Sequence, residues 1–245
     1  MHAVAINGSP QENGSTRVLL DHVLKPLNAS GWTTELVQLG GRELYNCTGC
    51  TKCFTRTDGL CATNLDILNE LFSKMLNSNA IILGSPAGVG ANLLPEVNNF
   101  IHRSAYLAKA NKDALAGKVG VAVIDVPSGS FIEAQDKAHR FFLRSKMIVP
   151  GVSAWNTDTR RLHKHKKISD AETLAEMERT GRMIDWLARA VEPYLEDLPR
   201  EKENSSFGEG EEPRFSLEEI KAMLEKEDVS LPSLLQDTYF VPPDH

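Results

Sequence analysis

Outside residues 47–61 the 245-residue sequence contains no cysteine. Thiols therefore play no part in packing or cross-linking the rest of the chain. Basic residues are not in excess either: 27 Lys and Arg against 33 Asp and Glu leave a net charge of −6 and a pI near 5.7. That balance speaks against nucleic acid as a partner, because nucleic-acid binders carry a basic stripe. No apolar run approaches the roughly 20 residues that span a bilayer, so no membrane partner is expected. The first ten residues turn polar too quickly for a secretory leader, and a cytoplasmic location is expected. Gly-x-Gly-x-x-Gly is missing, which argues against a dinucleotide-binding fingerprint. Gly-Lys-Ser/Thr is missing too, which argues against a nucleoside-triphosphate loop. No internal repeat is visible, and no Ser-His-Asp or paired-carboxylate arrangement points to hydrolysis.

What is present alternates. Short apolar runs at His2–Ile6, Thr34–Leu39, Ala80–Leu83, Lys118–Ile124 and Met147–Val152 predict five strands. Between them, apolar residues recur at helical spacing: Val18, Leu19, Val23 and Leu27; then Leu65, Leu68, Leu71, Phe72 and Met75; then Leu94, Val97, Phe100 and Ile101; then 131–143. A last helix carries Leu174, Met177, Ile184, Leu187 and Val191 on one face. Ser169 and Glu172 form its capping-box pattern, and Pro193 closes it. Strand alternating with helix means a parallel sheet covered on both faces. An α/β domain over residues 1–196 is expected, with an extension at 197–245. That extension holds 13 acidic against 5 basic residues. It reads either as a partly ordered tail or as an arm wrapping a second subunit.

The first strand runs into Gly8-Ser9-Pro10-Gln11-Glu12-Asn13-Gly14-Ser15-Thr16 and then into a helix. Backbone N–H groups at a helix N-terminus, with the peptide dipoles behind them, suit a phosphate. Ser9, Gln11, Asn13, Gly14, Ser15 and Thr16 are the candidate ligands, the hydroxyls of Ser9, Ser15 and Thr16 adding donors. The bland alternative is an ordinary strand-to-helix turn. Two more small-residue loops leave the same sheet edge, one through Pro86, Ala87, Gly88 and Val89, the other through Ser128 and Gly129. Free N–H groups there suit the edge and carbonyls of a flat ring, and three such loops describe a mononucleotide site.

The cysteines form one pattern, Cys47-x2-Cys50-x2-Cys53-x7-Cys61, within the loop 46–61. In a reducing compartment, clustered thiols are metal ligands or redox groups more often than disulfides. Structural zinc sites more often use two separated pairs. The x2-x2 run is instead that of bacterial ferredoxin ligation of a [4Fe–4S] cube. With four thiols in the chain, Cys61 returns to the same centre. Zinc and a metal-free thiol loop remain as alternatives. One basic run, residues 160–167, reads as a solvated loop or as a dock for a phosphate-bearing donor or an acidic partner.

The segments INGSPQENGST, AIILGSP and GKVGVAV, in that order and spacing, resemble the flavodoxin-like NADPH-dependent FMN reductases. The cysteine pattern is similar to that of the iron–sulfur flavoprotein branch. The resemblance covers roughly residues 1–195. It implies a three-layer α/β sandwich with strand order 2-1-3-4-5, FMN on the three loops, and a [4Fe–4S] cluster on Cys47, Cys50, Cys53 and Cys61. It also implies electron transfer between the two centres, with NAD(P)H or a redox protein as partner, in a homodimer or homotetramer. Flavin carries the chemistry, so no catalytic side chain is expected. A cluster-free NAD(P)H-dependent FMN or quinone reductase and a redox-sensing module are the alternatives. Two departures stand out. Gly88 takes the place of an aromatic residue that many relatives carry, which leaves the ring site more open. His102-Arg103 stands where relatives often show Asp-Arg.

Overall fold

Ala3, Ala5 and Ile82 project from the sheet to one side, while Val4, Ile6, Ile81 and Leu83 project to the other; both sets are buried. This two-residue alternation is what a strand imposes, and it creates two apolar layers that helices must cover. The computed structural model describes residues 1–63, 65–88, 92–125, 132–151 and 171–198. The chain order is β1 (His2–Asn7), α1 (Ser15–Ala29), β2 (Thr33–Gln38), a 3-10 turn (Lys52–Phe54), α2 (Leu68–Leu76), β3 (Ala80–Pro86), α3 (Pro95–Ala110), β4 (Val119–Asp125), α4 (Ile132–Arg144) and α5 (Ala171–Val191). A single 3-10 turn at Glu192–Tyr194 follows, where Pro193 was expected to close the helix.

The sheet is parallel in the order β2-β1-β3-β4. The expected fifth strand is reduced, among the described residues, to one parallel bridge of Ile148 to Val119. Ile148 N donates to the Lys118 carbonyl at 2.8 Å, and Gly120 N donates to the Ile148 carbonyl at 2.9 Å. Pro150 has no N–H with which to extend that ladder, and Val152 lies outside the described residues. Also outside them are Val89, Ser128, Gly129, Trp155, the basic run 160–167, Ser169 and the acidic extension from residue 199.

One layer is α1 and α5, packed on Ala3, Ala5, Ile82, Val121 and Val123; the other is α2, α3 and α4, packed on Val4, Ile6, Ile81, Leu83 and Ile124. Between α1 and α5 the backbones nearly touch. A Cβ on Gly181 would stand 2.2 Å from the Val23 carbonyl oxygen and 2.5 Å from Pro26 Cγ. The same pair of helices buries Trp32, whose Nε1 donates to Asp185 at 2.6 Å. Leu65, expected on the α2 stripe, is 78% exposed. The helix begins only at Leu68, and the preceding turn is bent by Asp66, whose Oδ1 accepts from Leu68 N at 3.2 Å.

Candidate functional site

The carboxyl ends of the four strands share one edge, because all pairings are parallel, and ligands in open α/β sheets bind beyond that edge. There the loop after β1 is built by two amides that sequence reading missed. Asn7, fully buried, accepts Ser9 N on Oδ1 at 3.1 Å and donates from Nδ2 to Gln38 Oε1 at 2.8 Å. Gln38 in turn donates from Nε2 to the carbonyls of Ser9 at 2.6 Å and Gly40 at 2.8 Å. Gly40 lies so close beneath that a Cβ would meet the Ser9 carbonyl oxygen at 2.2 Å. Ser9 Oγ accepts Gln11 N at 3.2 Å, and Gly14 N donates to the Gln11 carbonyl at 3.0 Å. Gly14 is the N-cap of α1 and caps it with no side chain. Gln11 and Asn13 are exposed beside it.

Asp125 joins three of the loops. It ends β4, is 2% exposed, and accepts hydrogen bonds from the hydroxyls of Ser15 and, at 3.2 Å, Thr16. Its main-chain carbonyl accepts Ala87 N at 2.7 Å. Gly88 N donates to the Asn92 carbonyl at 2.7 Å. The structure thus brings Ser9, Gln11, Asn13, Gly14, Ser15, Thr16, Pro86, Ala87 and Gly88 to one rim. It turns the hydroxyls of Ser15 and Thr16 toward a buried carboxylate. The signal available in the sequence was a lone acid closing an otherwise apolar strand.

The cysteine loop leaves the same rim after β2 and then descends the flank of α3. Asn111 Nδ2, past the end of α3, donates to the Gly59 carbonyl at 2.9 Å. Phe54 meets Tyr106 edge to face, their ring centroids 6.4 Å apart. Asn69 clamps Cys61, accepting its N–H at 2.8 Å and donating to its carbonyl at 3.0 Å. Cys47, Cys50, Cys53 and Cys61 all line one cavity of about 70 Å³, closed on the protein side by Arg103, Tyr106 and Leu107. Cys50 is exposed and the other three are half-buried. Among the described residues, no three His, Cys, Asp or Glu side chains are gathered to hold a single metal ion.

The thiols are near enough to feel one another. Burial pushes Cys53 up, and neighbouring Cys61, Cys50 and Cys47 push it further; the Lys52 backbone N–H draws Cys50 down. Arg103 holds the loop together. It is 2% exposed and paired with Asp66, whose side chain is fully buried. Nη1 donates to the Tyr45 carbonyl at 3.0 Å, and Nη2 donates to the Thr63 carbonyl at 3.2 Å and to the Cys61 sulfur at 3.3 Å. Burial works against its charge, but the bonds to Cys61 and Asp66 outweigh that and raise it above the ordinary arginine range. Arg103 stands more than two turns into α3, roughly 12 Å along the axis at about 1.5 Å per residue. The cavity therefore lies down the flank of the molecule from the rim.

The comparisons agree with this architecture. Residues 1–160 match the NADPH-dependent FMN reductase family. The chain belongs to that family. Its members are oxidoreductases, and a redox role follows at that level. A protein described as an iron–sulfur flavoprotein, from Methanocaldococcus jannaschii, is 33% identical over 153 residues, which is 62% of this chain and 76% of that one. A second, from Archaeoglobus fulgidus, is 32% identical over 124 residues, 51% of this chain and 54% of the relative. The match to that second protein thus spans about half its length. Among solved structures, RosB with bound 8-demethyl-8-formylriboflavin-5'-phosphate superposes with a TM-score of 0.57 at 14% identity, covering 100% of this chain and 91% of that one. A Streptococcus pneumoniae flavodoxin superposes at 0.51 and 15% identity, covering 76% and 99%. These two show the fold, which is flavodoxin-like. No described helix is long and apolar enough to cross a membrane.

Proposed function

We propose that this chain is an FMN-containing iron–sulfur flavoprotein that passes electrons between flavin and a [4Fe–4S] cluster. The observation that carries the reading is the convergence of all four cysteines on one cavity. Four thiolates are the donor set of an iron–sulfur cluster. Their spacing in sequence, a Cys-x2-Cys-x2-Cys run with one returning cysteine rather than two separated pairs, suits a cluster better than a structural zinc. The relatives described as iron–sulfur flavoproteins support the same reading.

Cys47, Cys50, Cys53 and Cys61 would hold the cluster, with Arg103 and Asn69 fixing the last of them. The rim loops fit the other cofactor. Gly14 leaves the start of α1 without a side-chain cap, so an anion can take that place, with Ser9, Gln11, Asn13, Ser15 and Thr16 around it. Pro86, Ala87 and Gly88 would line the ring, with Val89, Ser128 and Gly129 completing the loops. Flavin exchanges one or two electrons and the cluster one, so the pair can convert a two-electron donor such as NAD(P)H into single electrons. The protein contributes placement and electrostatics. Because the thiol cavity opens on the flank and Cys50 is exposed, electrons can enter or leave there, through a redox protein or a second copy in a homo-oligomer.

The test is anaerobic purification followed by assays for iron, acid-labile sulfide and FMN, with absorbance and electron-paramagnetic-resonance spectra. Roughly four iron and four sulfide per chain, with bound FMN, are expected. Iron-free protein that still reduces FMN or quinone with NAD(P)H would replace this reading with a cluster-free reductase.

A further inference from the structure

We propose that Arg103 is a positioning residue that sets the reduction potential of the centre held by the four cysteines, with Asp66 moderating its charge. The proposal rests on the iron–sulfur reading above, in which Arg103 only fixes Cys61.

A structural staple explains only part of what Arg103 does. Tying the loop to α3 needs the bonds to the Tyr45 and Thr63 carbonyls and the ion pair with Asp66. It does not need the further donation from Nη2 to the Cys61 sulfur at 3.3 Å. The guanidinium is buried and lines the thiol cavity itself. Its Nε is buried with no acceptor among the described residues, so the group is not optimised as a closed internal salt bridge. Hydrogen bonds to the cluster sulfurs and nearby charge are the levers by which a protein tunes an iron–sulfur centre. Arginine suits that role because it keeps its charge at every accessible pH. A positive donor on Cys61 favours the form carrying one more electron. Asp66, bonded to the same guanidinium on Nη1 and held by Tyr45 N at 3.0 Å, offsets part of that charge.

Two variants therefore move the potential in opposite directions. Asp66→Asn leaves Arg103 in place and removes the offset. The ratio of reduced to oxidised cluster at fixed potential should rise about tenfold, which for one electron is about 59 mV upward. Arg103→Gln/Asp66→Asn removes both charges as a near-isosteric neutral pair. It should fall below wild type by a similar factor, because the charge-assisted bond to Cys61 is lost. The measurement is a redox titration followed by electron paramagnetic resonance, on anaerobic protein with iron, sulfide and FMN assayed in parallel. Shifts in the same direction, or no shift in cluster-loaded variants, would overturn the proposal and leave the iron–sulfur reading standing. Wild-type protein without iron and sulfide would overturn both. Should the double variant fail to fold or load, Asp66→Asn decides alone: an upward shift supports the proposal, an unchanged or lower potential ends it.

Discussion

The Ser15 hydroxyl donates to the Asp125 carboxylate across a separation of 110 residues. A donor in the first turn of α1 is thus engaged by an anion. A phosphate seated on the loop after β1 would compete with the carboxylate for the hydroxyls of Ser15 and Thr16, and would meet its charge. Between bulk water and an effective dielectric near 20, a charge about 4 Å away is worth about 1–4 kcal/mol. Asp125→Asn keeps an acceptor for the two hydroxyls and drops the charge. FMN should bind about tenfold tighter, roughly 1.4 kcal/mol, while riboflavin, which lacks the phosphate, should bind as before. Equilibrium titration by flavin fluorescence reads both. Weaker FMN binding by folded Asp125→Asn would show that the carboxylate serves the site rather than opposing the phosphate.

The thiol cavity and the rim are held by different residues. Asn69, Arg103 and Asn111 anchor the cysteine loop, whereas Asn7 and Gln38 shape the loop after β1. The two cofactors should therefore come apart. Cys50→Ser and Cys61→Ser are each expected to remove most of the iron and acid-labile sulfide while FMN content stays within about 20% of wild type, since losing one thiolate ligand disrupts the cluster outright. Metal and sulfide assays on anaerobic protein, beside flavin absorbance, check this. Parallel loss of flavin and iron would mean that the two sites share a scaffold.

Much of this was readable in advance, and the reason is period. Apolar residues two apart or three to four apart announce strands and helices, so all four ladder strands and the α1, α2 and α3 stripes fell near their places. Small-residue loops after strands are equally local. What stayed hidden are long-range polar contacts, whose partners sequence spacing cannot pair. Asn7 with Gln38, Ser15 with Asp125 and Arg103 with Asp66 are examples. Arg103 did leave a trace. It sits three residues after Phe100 and four before Leu107, both buried, so a charge stood on an apolar face and required a partner. Among the described residues the fifth strand stops at one bridge for a local reason, as Pro150 follows Ile148 too closely for a ladder to grow.

Alanine is the better helix former by about 1 kcal/mol, so Gly181→Ala in the middle of α5 would ordinarily stabilise. Here contact decides the sign. The new Cβ would fall 2.2 Å from a backbone oxygen of α1 and 2.5 Å from Pro26, neither of which can swing aside. Overpacking of this kind costs about 1–3 kcal/mol, and the helices must separate. A fall in Tm of roughly 2–10 °C is expected, measured by circular dichroism on otherwise identical protein. A rise in Tm would mean that α1 and α5 slide apart freely.

His139 gives stability a pH dependence of known sign. Burial lowers its pKa, against a smaller opposing effect of Asp136. Gln135 Nε2 lies 3.2 Å from His139 Nε2, a contact whose donor depends on the ring tautomer. As pH falls from 7.5, the unfolded chain takes up its proton first, near the ordinary value of about 6.5, and the folded protein only later. Between those two values the unfolded state binds more protons, so stability rises with pH and is lost on acidification; below the depressed folded value the loss levels off. The denaturant midpoint should fall further between pH 7.5 and 5.5 for wild type than for His139→Gln, which can still hydrogen-bond with Gln135 and has nothing to titrate. Equal falls in the two proteins would assign the acid sensitivity to other groups and leave His139 without a part in it.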